Sequence, residues 1–568
     1  MITAERIEAY GNLSLTDVLR QMPAVQVSRA GAAGQTTSLR IRGEEGFRTL
    51  AIIDGIRLSD PAATQVGPAL EHVLSSGVNR VEILRGPQGL AYGADAGGVM
   101  NISTFTADEG LQGGIDIQAG RFDTRQYSGN LGGRKGQADF FVSASRFDTE
   151  AYNTFVPDNI DQDKDGYKND SIHLRAGYNL NQLWRSELVH RSVDGKARFD
   201  NCFSTTLNGH DCEGRYNFDA TRLSLSYHNE LYTHSLSWNH TDTERENFSS
   251  GEFSFGSEGK LERWEYIGSA SLSWGRLAFG ADHENTHYDI LSRDNTGVFA
   301  EYLSNFSDRL YLTAGVRHDD NDDFGTNTSH RLSAAWLPDL PEDSTLKFKA
   351  RLGTGFRAPS PYEISYNRGP WAYAPASETI LKQETSEGWE AGMEYLRGDK
   401  LRLELVWFDQ DVEDAIEFDS SNWSGYLQLD GRSNSRGLEL STEIRLGEQW
   451  QLTGNYTYND TELPDGQQRL RRPRNLFNTG LSWRSREERV DLHAFLRVSR
   501  NAVDQSGVER VPLDDFEVLD FSARYHISDT LQLYARVENV LDKDYQEVFN
   551  YYTPGRAAYL GFRMQFSN

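Results

Sequence analysis

The chain has 568 residues and sets 58 Lys and Arg against 84 Asp and Glu, a formal charge of −26. That balance excludes a nucleic-acid binder, which needs clustered cations to displace counterions from phosphates, and fits acidic surface loops or metal binding. No apolar stretch approaches the roughly 18 to 20 residues of a spanning helix, so a helical membrane protein is excluded. A spanning β-barrel is not, because its strands alternate lipid-facing and lumen-facing residues. Aromatic residues make up 11% of the chain, as girdles at two membrane interfaces require. Composition alone leaves a large secreted β-sandwich or propeller equally open.

Residues 1–107 read as a compact mixed α/β unit, with a helix around 16–21, a strand at 50–53, a helix near 68–75 and a strand at 80–84. Residues 108–568 carry repeated alternating segments separated by polar turns. Leu310, Leu312, Ala314 and Val316 alternate with Tyr311, Thr313, Gly315 and Arg317; Leu346, Phe348, Ala350 and Leu352 alternate with Lys347, Lys349 and Arg351. The last segment presents Ala558, Leu560, Phe562, Met564 and Phe566 on one face. Dividing this region by strands of about ten residues plus loops gives on the order of 22 antiparallel strands. A lumen that wide needs an occupant, and the N-terminal unit is the one available.

Four sets of residues carry chemistry. Arg42 in Ile41-Arg42-Gly43 and Arg85 in Arg85-Gly86-Pro87 place a bidentate cation beside a flexible backbone, suited to inward-facing carboxylates or to capping a turn. The run from Asp158 to Tyr167 has aspartates at alternate positions before Gly166, hard oxygens suited to calcium or to a solvated acidic loop. It has no acid at the twelfth position, Ile172, so ligands must come from elsewhere: Asp148, Asp194, Asp200 and Asp211 are the candidates. Cys202 and Cys212 lie in a turn-rich stretch, as expected of a loop disulfide formed in an oxidising compartment. No nucleophile elbow, zinc motif or phosphate loop is present, so an enzyme is not expected.

In order and spacing, Leu15-Thr16-Asp17-Val18-Leu19 with Pro23, Ile41-Arg42-Gly43, Ile53-Asp54-Gly55-Ile56-Arg57, Val81 to Pro87 and Tyr92 to Ile102 resemble the plug domain of TonB-dependent outer-membrane receptors. Gly353-Thr354-Gly355-Phe356-Arg357-Ala358-Pro359, followed by Leu381 to Ser386, is similar to the family's mid-barrel signature, with Gln383 where the family usually has proline. The resemblance implies a transmembrane barrel over 108–568 with the plug, 1–107, in its lumen. It also implies a monomer among outer-membrane lipids, and import energised by TonB through an N-terminal segment absent from this chain. The leader that such a protein requires is expected to have been processed or removed.

Four stretches resemble the vitamin B12 receptor branch: Phe147 to Asn153, Asp163-Lys164-Asp165-Gly166-Tyr167, Asn539 to Tyr545, and Tyr552 to Arg556, with Arg198-Phe199-Asp200-Asn201 a weaker match. In that branch paired calcium ions order the loops that bind the corrinoid. On this analogy Asp148, Asp161, Asp163, Asp165, Asp200 and Asp211 become calcium ligands. Ser59, Asp60, Gln65, Gln88 and Tyr92 become ligand-facing residues of the plug apex. Residues 360–380 lack the histidine that haem-uptake members place there, so haem is not expected. The ligand expected is cobalamin or another corrinoid; the alternatives are a ferric siderophore, or a non-transporting adhesin or binding barrel.

Overall fold

The structure, a computed structural model, describes residues 1–11, 14–87, 89–93, 97–106, 109–158, 162–202, 209–341 and 343–567. Alternation governs most of it. Twenty-two strands, from Gly110–Gly120 to Ala557–Ser567, pair antiparallel with their sequence neighbours and close into a barrel. The last strand seals onto the first with Leu560 opposite Ala119 and Phe562 opposite Ile117. The expected all-β barrel of 22 strands around an N-terminal mixed plug is the observed architecture.

Burial is inverted relative to a soluble sandwich. Leu223, Trp264, Val298, Leu332, Leu440 and Leu560, all outward-facing, are 42–65% exposed, whereas the lumen-facing Asn239, Asp282, Arg317, Glu390 and Glu439 are buried. An apolar surface this large is stable only against lipid. At one end the strands join through turns as short as 136–137 and 273–274. Near that end sit outward aromatic pairs, Trp184–Tyr227, Trp274–Tyr302, Trp336–Phe348 and Trp450–Trp483, with ring centroids 5.1–6.3 Å apart, as at a membrane interface. Long connections such as 150–166, 358–383 and 539–556 lie at the opposite end, the exterior side in such barrels.

The plug is built on a five-stranded sheet ordered Ile2–Thr3, Val78–Arg85, Gly98–Thr104, Thr49–Ile53, Ile56–Arg57, with one parallel pairing, Thr49–Ile53 to Gly98–Thr104. Helices α1 (Ala4–Tyr10) and α2 (Leu15–Leu19) and the hairpin Val25–Arg29/Thr37–Ile41 complete it, packing Ile7, Val18, Leu39, Ile53 and Met100 into one core. The helix expected near 68–75 is only a 3-10 turn, Leu70–His72. The Leu15 amide donates to the Val73 carbonyl at 3.0 Å and Ser14 bridges Leu74, which draws the chain out of helical geometry.

Charge seats the plug. Arg42 pairs with Glu439 and Glu390, both at 2.7 Å; Arg85 reaches Glu439 at 2.6 Å; Arg48 reaches Glu384 at 2.9 Å; and Arg469 grips Glu44 at 2.9 Å. The turn carrying Arg42 needs Gly43 (φ +79°), because a Cβ there would meet Thr461 at 2.7 Å. Removing one member of a buried pair costs about 3 to 5 kcal/mol. Glu439→Ala, which takes from Arg85 its carboxylate, should therefore speed amide exchange in Val78–Arg85 by about a hundredfold or more while the barrel strands exchange as before. Hydrogen exchange on the detergent-solubilised protein checks this, and uniform protection across both parts would contradict it.

Candidate functional site

Two neighbouring loops at the exterior end, 150–166 and 200–211, follow the third and fifth barrel strands, Ala138–Thr149 and Trp184–Phe199. The Arg198 amide donates to the Gly166 carbonyl at 2.9 Å and holds them together. Here Asp158, Asp163 and Asp200 bring one carboxylate oxygen each to within 4.8 Å of one another. Asp165 stands alongside, its Oδ2 accepting from the amide and hydroxyl of Thr154, each at 2.7 Å. Asp200 is 2% exposed; its carboxyl lies against that of Asp165 and 3.8 Å from Nδ1 of His210. Burial, followed by the charges of Asp165 and Asp158, pushes Asp200 up to about 8. A proton therefore satisfies the cluster where a hard divalent cation could take its place. The disulfide Cys202–Cys212 ties this loop to the start of the sixth strand.

The structure thus gathers Asp163 and Asp200, with Asp165 beside them, and adds Asp158, which heads the same acidic run but was not expected as a ligand. It stands off the alternation of Asp161, Asp163 and Asp165, so its only signal was its place in the acidic run. Asp148 and Asp211 are not in the group. Phe147 and Thr149 face inward, so the period of two turns Asp148 outward, where Lys168 pairs with it at 3.5 Å. Asp211 is exposed at the foot of its strand, and Asp194 faces outward from mid-strand, opposite Asp170. Asp161 and Gln88 lie outside the described residues.

The plug apex divides similarly. Ser59 is half-buried and bridges Pro68. Asp60 is fully buried, its carboxylate accepting from Arg245 of the barrel at 2.5 Å and from the Ala62 amide at 2.9 Å. Asp60 thus supports the apex from within and presents no free face. Gln65 and Tyr92 are half-buried; burial raises the Tyr92 phenol. The exposed apex residue is Thr64, whose carbonyl accepts from the Ser360 hydroxyl of the loop above at 2.5 Å.

That loop carries α3 (Pro361–Arg368), started by a reciprocal cap between Ser360 and Glu363. The helix spacing sets Tyr362 and Tyr366 against Phe418 and Tyr426 of the next long loop, with centroids 5.3–6.2 Å apart, while Trp371 and Trp423 stay 72% and 69% exposed. Sequence reasoning missed this aromatic group; the tyrosines four apart behind a capping box were its available signal. Nearby, a cavity of about 620 Å³ is lined in part by Arg368 and Lys382. From α3 a chain of alternating charges enters the plug: Glu363–Arg357 at 3.0 Å, Arg357–Glu384 at 2.8 Å, then Arg48, Glu44 and Arg469.

Similarity to known proteins agrees with this layout. The family described as TonB dependent receptor-like, beta-barrel, matches residues 104–540, and the TonB-dependent Receptor Plug Domain matches residues 1–100. A vitamin B12 transporter, BtuB, of Photobacterium profundum is 26% identical over 576 residues, covering 97% of this chain and 90% of the relative. The BtuB of Vibrio cholerae serotype O1 is 25% identical over 601 residues, covering 100% and 92%. Among solved structures, the ferric enterobactin receptor PfeA of Pseudomonas aeruginosa superposes with a TM-score of 0.84 at 19% identity, covering 100% of this chain and 98% of that one. The siderophore receptor PirA of Acinetobacter baumannii gives 0.82 at 17%, with the same coverage. With a charge-seated plug inside a closed 22-strand barrel and both family matches spanning nearly the whole of it, the chain belongs to the TonB-dependent receptors of the outer membrane.

Proposed function

We propose that this receptor imports cobalamin or a related corrinoid, and that calcium held by Asp158, Asp163 and Asp200, with Asp165 in support, orders the two loops that capture it. The carboxylate cluster carries the reading: three hard oxygens within 4.8 Å, on loops fastened to each other and to a disulfide, are costly to assemble unless a cation offsets their repulsion. Identity of 25–26% to vitamin B12 transporters over nearly the full length points the same way. The aromatic group of α3 and its partner loop supplies broad apolar surface for a bulky ligand, with polar groups of the apex to orient it. A ferric siderophore is the second reading, in line with the overall likeness to the ferric enterobactin receptor PfeA, although Arg368 and Lys382 at the loop cavity stand beside Asp323 and Glu378.

Titration calorimetry separates the readings. Cyanocobalamin should bind the detergent-solubilised receptor tightly at about millimolar calcium and more weakly with chelator present. Calcium-independent binding of ferric enterobactin with no cyanocobalamin signal would replace the first reading by the second. Within the first, Asp200→Asn should abolish the calcium dependence, whereas Asp148→Asn, on the outer face, should leave it intact. Equal losses in both variants would refute the assignment of the cluster.

A further inference from the structure

The seventh and eighth barrel strands, Tyr232–Ser249 and Glu252–Leu272, form a hairpin that rises past the plug apex. Its lumen-facing residues hold the apex in steps. Gly259 lies so close to Pro61 and Ala62 that a Cβ would not fit, and the Ser257 hydroxyl donates to the Ala62 carbonyl at 2.9 Å. Opposite Ser257, Arg245 donates to Asp60 at 2.5 Å. The next lumen-facing residue up the eighth strand is Phe255, opposite Asn247, and it is 54% exposed.

Phe253, two residues on, is 59% exposed but faces the other way. The register shifts between Asn247 and Phe248, where the eighth strand carries one extra residue, Ser254, and Phe253 comes opposite Phe248 on the outer face. Those two rings meet edge to face at 5.9 Å, and Arg215, also outward, covers Phe248 at 4.3 Å. Phe253 thus packs in an outer aromatic group, whereas Phe255 is turned to the mouth.

The lumen-facing row at the height of Phe255 continues through Asn247, Gly214 and Ala197 on the seventh, sixth and fifth strands. None of the four is charged. The charges of this wall lie one row lower, in the Arg245–Asp60 pair, or outside, where Arg215 pairs with Glu246 at 3.7 Å. Gly214 has no side chain, so the row recedes beside Asn247. It ends at Ala197, next to Arg198, whose amide fastens the two acidic loops together. Three strand spacings, roughly 14 Å, separate Ala197 from Phe255. Across the apex, the Ser360 hydroxyl of the α3 loop reaches the Thr64 carbonyl, two residues from Ala62. The hairpin and the α3 loop therefore grip the apex at points at most about 7 Å apart. Phe255 rises at one edge of this narrow floor, where a covered ring contributes more to binding than an exposed one contributes to the fold.

Resting on the import reading and deepening it, we propose that Phe255 and Asn247 form a wall subsite for the ligand. Phe255 takes an apolar face of it, and Asn247 an adjoining uncharged polar group such as an amide, while the apex at Ala62–Thr64 supports it from below.

The test uses the full chain in detergent at millimolar calcium. By calorimetry, Phe255→Ala should weaken cyanocobalamin binding about tenfold or more, Phe255→Trp should restore it, and Phe253→Ala should bind as the parent does. Unchanged binding in Phe255→Ala, or an equal loss in Phe253→Ala, overturns the subsite and leaves the import reading intact. A second arm reads contact in place of affinity. Cys202 and Cys212 are joined to each other, so Phe255→Cys and Phe253→Cys each add one thiol. Saturating cyanocobalamin should slow the reaction of a water-soluble maleimide at 255 about tenfold, as burial in a ligand site implies, and leave 253 unchanged; equal rates at 255 with and without ligand refute the contact. If the parent binds ferric enterobactin and not cyanocobalamin, both arms are run with that chelate. Weakening and protection confined to 255 then uphold the subsite and reject cobalamin, whereas a parent that binds neither probe overturns both.

Discussion

A wide polar lumen cannot be left to side chains alone, and the ion pairs that seat the plug answer that constraint. Glu439 accepts two plug arginines, Glu390 and Glu384 one each, and Glu44 and Glu45 of the plug are held in return by Arg469 and Arg472. Buried pairs contribute little net stability, because desolvation offsets most of the Coulomb gain, yet leaving one member unpaired is expensive. Their effect is therefore positional. Any rotation of the plug by one strand would leave several buried charges without partners, so charge fixes one orientation in a lumen that apolar packing could not index.

The same pairs connect the exterior loops to the plug. Glu363 caps α3 and also binds Arg357, so the helix that carries Tyr362 and Tyr366 is continuous in charge with Arg48 and Glu44. On the other side of the mouth, plug residue Gln35 donates to the Thr154 hydroxyl at 3.3 Å, and Thr154 holds Asp165 of the acidic loop. Gly34 beside it (φ +77°) packs so tightly against Tyr167 that a Cβ would lie 2.0 Å from the ring. The plug thus touches both the aromatic and the acidic parts of the mouth through short polar links. Ordering either loop biases the plug position without any distant transmission.

Period-two alternation made the barrel legible, because a strand between lipid and water must alternate over its whole length. Leu310 to Asn321 and Ala557 to Ser567 need no tertiary information to be read. The plug hairpin Val25–Arg29/Thr37–Ile41 was invisible, since its strands are five residues each and the Gly/Ala-rich connection between them reads as open loop. In the site, the acidic run announced a cluster but not its membership. Which aspartates meet depends on strand parity, which sends Asp148 out, and on loop path, which brings Asp158 in; neither is encoded by spacing along one segment. Asp60 failed as a ligand-facing residue for a related reason: its partner, Arg245, is 185 residues away.

The distribution of charge bears on the nature of the cargo. The chain's −26 formal charge and the acidic cluster at its mouth create a field that disfavours the approach of an anion and leaves a neutral solute indifferent. A divalent cation, were one held by Asp158, Asp163 and Asp200, would reverse that field locally. Farther in, much of the charge on the lumen wall is paired, as in Arg563 with Asp116 beside the first strand and Arg317 with Asp282 and Asp319. At the loop cavity Arg368 and Lys382 are offset by Asp323 and Glu378, so a multiply charged chelate finds no net cationic surface there.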